Sequence, residues 1–236
     1  MKGRALIQVN LAVFLFGTAG LFAKWLDLPA IAITLGRVVF SSLALGVFAL
    51  VTRQSLRVKG RDFFLLVLAA VAILGGVLLT VPQFSLENRI SAGIAVGLVS
   101  ALAYSVLTLL NRSFMTRQTG TLTAFYEQAS AAVLLVLPCL WMAPVVPTVS
   151  ELGMLLFLGV VTTAVAHTLF ITSLKVLPAQ ITGVVSSMES VYGILLAFLV
   201  LGETPSFREI AGAAVIIGVV VLSQLLPGKG KGRAGA

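Results

Sequence analysis

The chain has 236 residues, of which 59% are hydrophobic and 10% charged, with a formal net charge of +8. Soluble domains carry roughly 25% charged residues, so this composition excludes a water-soluble domain and points to a polytopic membrane protein. The single cysteine, Cys139, excludes an internal disulfide or a zinc cluster, and the single histidine, His167, leaves no metal-ligand spacing.

A helix needs about 20 apolar residues to cross a hydrocarbon core of about 30 Å. Eight segments meet that requirement in chain order: 5–26, 30–52, 63–81, 92–111, 121–143, 152–173, 179–201 and 207–226. The connections are short and carry turn residues, as at Asp27-Leu28-Pro29 and Gly202-Glu203-Thr204-Pro205. Ser206 and Glu209 stand at capping-box spacing before the last segment. Open strands cannot span lipid, because their unpaired backbone groups find no water. The alternating segments of a membrane barrel are also absent. The fold class is therefore all-α, a membrane bundle of about eight transmembrane helices. Lys2 and Arg4 open the first segment as they would a secretory signal, but its apolar run is longer than the roughly 7–15 residues of a signal core.

The basic residues are distributed unevenly. With the amino terminus inside and eight crossings, Lys2, Arg4, Arg53, Arg57, Lys59, Arg61, Arg112, Arg117, Lys175, Lys229, Lys231 and Arg233 fall inside. Only Arg89 and Arg208 fall in outside connections. The positive-inside rule then places both termini in the cytoplasm and the chain in an inner, or plasma, membrane. The positive charge is a topology signal, so nucleic acid is not an expected partner. The tail from Gly228 to Arg233 has the glycines and lysines of a phosphate loop but lacks its strand and helix.

An internal repeat is present. At an offset of 88 residues, Leu21-Phe22-Ala23-Lys24 falls on Leu109-Leu110-Asn111-Arg112, and Phe16 falls on Tyr104. Thr34, Arg37 and Ser41 correspond to Thr123, Glu127 and Ser130 to within a residue, and the third segment ends like the eighth. The chain reads as a unit of three helices (1–90), a unit of five (91–227) and a basic tail (228–236). Both counts are odd, so the second unit enters the membrane from the opposite side. Such inverted repeats mark transporters, with the site at their interface.

Several stretches carry a family likeness: Ala101-Leu102-Ala103-Tyr104 through Asn111-Arg112, Phe125-Tyr126-Glu127-Gln128, Ala164 through Phe170 around His167, Ser186-Ser187-Met188-Glu189-Ser190-Val191-Tyr192, and Leu201-Gly202-Glu203 followed by Gly212. In these the chain resembles the EamA-type transporters of the drug/metabolite transporter superfamily, throughout its second unit. The resemblance implies ten helices arranged as five plus five. This chain has 3+5, as if the third and fourth helices of the first repeat were missing. The resemblance also implies secondary transport, in the export direction, of small metabolites such as amino acids by alternating access. The competing reading is a shortened, non-transporting paralogue with a structural or regulatory role in the membrane. Lipid, or a second copy in a homodimer, would cover the flank left by the missing helices.

Ionisable groups at membrane depth cost about 2.5–3.5 kcal/mol on insertion scales and mark a pathway or a pair. Lys24, in the last turn of its segment, can snorkel to the outer interface as an anchor. Arg37 lies deeper, and Glu127 and Glu189 lie well inside their segments; each is a cavity candidate, against the plainer role of a buried ion pair or hydrogen bond. His167 suits a proton relay, although a lone helical histidine is more often a packing residue. Polar stripes at steps of three and four strengthen the set: Gly97, Ser100, Tyr104, Thr108 and Asn111; and Thr182, Ser186, Glu189 and Gly193. Such stripes also serve close helix packing. The expected cavity residues are Arg37, Tyr104, Glu127, His167, Glu189 and Tyr192. In that cavity Arg37 would hold a substrate carboxylate, and Glu127 or Glu189 an amine. No catalytic motif is present, so no enzyme activity, cofactor or metal is expected.

Overall fold

The computed structural model describes residues 2–54, 89–142 and 145–225. All regular structure among these residues is helical. In chain order it comprises α1 (Lys2–Trp25), α2 (Ala30–Val51), α3 (Arg89–Phe114), α4 (Gly120–Met142), α5 (Val149–Phe157), a π-helical stretch (Leu158–Val165), α6 (Ala166–Ser173), α7 (Ala179–Ser186), α8 (Met188–Leu201) and α9 (Phe207–Leu225). The expected third segment, 63–81, and the tail, 228–236, lie outside the described residues. Five of the described helical runs are long and apolar enough to cross a membrane: α1, α2, α4, the run Val149–Ser173 and the run Ala179–Leu201.

Two of the runs differ from the uniform helices that hydropathy predicts. Between α5 and α6 the helix widens to π geometry without leaving the membrane-spanning run. Thr163 Oγ1 donates to the Leu158 carbonyl at 2.8 Å, five residues back, and Thr162 Oγ1 to the same oxygen at 2.8 Å. The two hydroxyls thus serve a carbonyl whose ordinary ladder is disturbed. Between α7 and α8 the chain tightens at Ser187, where Ser187 N and Ser190 N each bond three residues back. The predicted stripe Thr182–Ser186–Glu189–Gly193 is therefore divided by a turn rather than carried on one helix.

The helix ends follow from local chemistry. Thr148 and Glu151 form a capping box at α5. Ser206 and Glu209 do so at α9, with Ser206 N donating to Glu209 at 2.6 Å and Glu209 N to the Ser206 hydroxyl at 3.3 Å, as the sequence predicts. Gly202 closes α8 in the left-handed region at φ 69°, where a side chain would be strained. That turn points Glu203 toward α1.

α1 turns Ala5, Val9, Ala12, Val13 and Phe16 into the main apolar core, at helical spacing, against Ala166, Phe170 and Ile171 of α6 and Val185 of α7. Among the described residues, α2 packs most extensively on α4 and next on the π stretch, while α9 packs chiefly on the α7–α8 run. Gln54, just past α2, accepts from Thr119, just before α4, so these two neighbours run antiparallel. Close backbone approach requires glycine at two crossings. A Cβ on Gly17 would stand 2.8 Å from the Tyr192 Cβ and 3.1 Å from the Glu189 carbonyl oxygen. A Cβ on Gly159 would stand 2.9 Å from the Arg37 carbonyl oxygen and 3.1 Å from Ser41 N. The first glycine sets α1 on α8, and the second sets the π stretch on α2.

The charges separate between the two ends of the bundle. Arg53, Arg112, Arg117 and Lys175 share the end that holds the α3–α4 and α6–α7 connections. Lys24 meets Glu203 at the other end, beside Glu209.

Candidate functional site

Several polar side chains within the helical runs are linked across α2, α3, α4, the π stretch, α6 and α8. Arg37, from α2, donates through Nε to Thr163 Oγ1 of the π stretch at 3.2 Å. Its charge also acts on Glu189 of α8 and on His167 of α6. Tyr104 of α3 is in turn under the influence of both Glu189 and Glu127. Glu127, from α4, is buried and hydrogen-bonded to the Asn111 amide at the end of α3. Coulombic influence thus links Arg37 with Glu189 and His167, and Tyr104 with Glu189 and Glu127.

The sixth expected cavity residue, Tyr192, stands apart. It lies on the α1–α8 contact, with its ring edge-on to Phe14 at 5.5 Å between centroids. His167 of α6 is packed against α1. Its ring packs edge-on against Phe16 at 5.1 Å, while its Nδ1 is buried without a hydrogen-bond partner among the described residues. Ser41 Oγ, Asn111 Oδ1, Glu127 Oε1 and Thr168 Oγ1 share that condition. Buried polar atoms are rarely left unbonded, so such atoms provide acceptors and donors for a guest or for water.

Sequence reasoning missed Thr163. Its signal is a hydroxyl pair, Thr162-Thr163, one helical turn before His167 in an otherwise apolar run. It also missed that Asn111, visible only as a stripe member, is the partner of Glu127. Lys24, expected as a snorkelling anchor, is also half of an ion pair: its Nζ contacts the Glu203 carboxylate at 2.5 and 2.6 Å. The pair stands beside a cleft of about 290 Å³ between α1 and α8, whose glycines Gly17, Gly20 and Gly193 lead down to the level of Glu189. Among the described residues no cluster of three or more His, Cys, Asp or Glu could hold a metal ion.

The profile of the EamA-like transporter family matches residues 91–224, more than half of the chain. No curated protein matches the chain. One solved crystal structure, titled only as that of a protein, aligns with 94% of this chain and 97% of its own at TM-score 0.73 and 19% identity, a likeness of fold. The matched region runs from the first turn of α3 to the last turn of α9, with Tyr104, Glu127, His167 and Glu189 among its residues. Together with the apolar spans, this makes the chain a multi-pass membrane protein that belongs to the EamA-like transporter family.

Proposed function

We propose that the chain is a secondary transporter that moves a small zwitterionic metabolite, an amino acid or a close relative, out of the cell by alternating access. The observation that carries this reading is the polar group linked to Arg37: a half-buried cation, the buried carboxyl of Glu127, the more exposed carboxyl of Glu189, and several buried hydrogen-bonding atoms without partners among the described residues. Arg37 would take the substrate carboxylate in place of Thr163, and Glu189, at the more accessible side of the group, would take the amine. Glu127, held by Asn111, would set the floor of the site and Tyr104 a wall.

The architecture supports the same reading. Lys2 and Arg89 are 87 residues apart and Trp25 and Phe114 are 89 apart, so α1 and α3 nearly coincide at the repeat offset. The equivalent helices α2 and α4 pack antiparallel against one another, as inverted repeats of three and five helices would place them. The separation of charge supports a topology with the Arg112 end, and with it both termini, in the cytoplasm of an inner membrane. The Lys24–Glu203 pair would then stand at the outer mouth.

Flux in proteoliposomes against a panel of amino acids tests the proposal. Saturable flux of at least one of them, lost in Arg37→Gln, is the expected result. A folded chain that moves none of the panel would overturn it in favour of the shortened, non-transporting paralogue. Cysteine labelling at Ser113 and Thr204, in a Cys139→Ala background, should report opposite sides.

A further inference from the structure

Two side chains at the floor of the polar group leave oxygens that no described residue serves. Glu127 of α4 is 8% exposed, and Asn111, in the last turn of α3, is 3% exposed. The two are bonded to each other. Yet Glu127 Oε1 and Asn111 Oδ1 are both buried without a hydrogen-bond partner among the described residues. A carboxylate oxygen and an amide oxygen can only accept. Thr108 stands one turn before Asn111 on the same face of α3 and is also buried. Its hydroxyl proton is committed to the Tyr104 carbonyl at 2.8 Å, so it too has only lone pairs left to offer.

We infer that these oxygens bind a sodium ion. Hard cations take carboxylate, amide and hydroxyl oxygens of this kind. One carboxylate among neutral oxygens matches a single positive charge, whereas calcium takes more carboxylates and magnesium keeps several of its waters. Neither orphan oxygen touches solvent, which favours a small ion that has shed its water over a water molecule or the larger potassium ion. The helix ends are placed to suit. Asn111 lies where α3 presents the negative end of its dipole. Glu127 lies two turns past the start of α4, beyond the reach of that helix's positive end. Carboxyl-terminal helix ends also hold the coupling ions of inverted-repeat transporters. Sodium here forms the floor of the substrate site. Its coupling to export rests on the proposed function; its binding does not.

The experiment needs no transport. The full chain in detergent is melted in sodium, potassium or choline chloride at equal ionic strength, and binding of radioactive sodium is counted in parallel. Sodium is expected to raise Tm saturably, by a few degrees at roughly a hundred times its dissociation constant, while potassium and choline do not. Glu127→Gln, which keeps a bond to Asn111 but not the charge, should abolish both the rise and the binding. Thr108→Val should weaken binding about ten-fold, the size of one lost ligand oxygen. Glu203→Gln, which removes a carboxylate at the exposed end of the bundle, should leave binding unchanged. A sodium response retained in Glu127→Gln would overturn the site. Equal Tm in the three salts with no sodium bound would also overturn it. A dependence of Tm on pH that vanishes in Glu127→Gln would then put a proton on the carboxyl instead, and its absence would put a buried water there. Sodium binding by a chain that moves no amino acid would sink the transport reading and leave the site standing.

Discussion

The runs Val149–Ser173 and Ala179–Leu201 have almost the same mean hydropathy and similar lengths, yet they occupy opposite situations. Half of the most apolar stretch of the first is buried, against 6% of the second. The first is the central pillar, packed on α1, α2 and α4; the second lies at the rim, between α1 and α9. The difference comes from side chains that hydropathy scarcely registers. The pillar carries Gly159, Thr162, Thr163 and Ala166 at its contacts, all small or short and all nearly inaccessible. The rim exposes Leu195, Phe198, Leu199 and Val200. In lipid, apolar bulk brings no gain by turning inward, so small residues that admit close approach decide which helix is central.

The largest expected effect lies on the pillar. Gly159→Ala would place a methyl against the Arg37 carbonyl and Ser41 N, backbone atoms of α2 that cannot move aside independently. A loss of about 1–3 kcal/mol is expected, together with displacement of Arg37 from Thr163. Gly193→Ala on the rim meets nothing within 4 Å and should be neutral or gain up to about 1 kcal/mol in helix propensity. Thermal unfolding of the two variants in one detergent checks the contrast. Equal destabilisation would mean that the rim run is as tightly held as the pillar.

The next effect separates the two carboxylates. Glu127 is buried and bonded to Asn111, whereas Glu189 is on the accessible rim and is coupled to Arg37. Glu127→Gln keeps a hydrogen bond to Asn111 and should fold normally, while Glu127→Leu strands that amide and should cost about 1–3 kcal/mol. Glu189→Gln should leave stability nearly unchanged and lower flux roughly 10- to 100-fold, the size of a lost charge-assisted bond. Full flux in Glu189→Gln would remove an ionised rim carboxylate from the mechanism. A third variant, Thr163→Val, deletes the acceptor of Arg37 Nε and the bond to the Leu158 carbonyl. It should cost about 1–2 kcal/mol, and it tests whether the π stretch orients Arg37.

These variants also mark how far the sequence was legible. The positions of the described helices were, because a span of about 20 apolar residues between turn residues has few alternatives in lipid. Arg37, Glu127, His167 and Glu189 were too, since each is conspicuous against an apolar background. The π widening was not, because Thr162 and Thr163 are compatible with an ordinary helix until one sees which carbonyl they serve. The break at Ser187 was equally hidden, since the helical stripe Thr182–Ser186–Glu189–Gly193 runs unbroken across it. Pairings across space, such as Asn111 with Glu127 and Lys24 with Glu203, depend on crossings that the repeat suggests only in outline.

The smallest expected effect on stability is at the outer end. Lys24 and Glu203 touch at ion-pair distance, but both side chains are 51% exposed. Exposed pairs contribute about 0.2–1 kcal/mol, so Lys24→Ala, Glu203→Ala and the double variant should all lie within about 1 kcal/mol of the parent. The consequence is expected in access rather than in stability. The pair ties the end of α1 to the α8–α9 turn beside the glycine-lined cleft, and that cleft cannot widen at its mouth while the pair holds. Gly20 lines the cleft with nothing within 4 Å of an added Cβ, so a cysteine fits there without strain. In a Cys139→Ala background, a thiol reagent should label Gly20→Cys faster when Glu203→Gln is added, and faster at high salt when the pair is intact, because salt screens an exposed ion pair. A labelling rate indifferent to both changes would show that the ends of α1 and α8 are held by packing alone, with the ion pair a surface decoration on a closed contact.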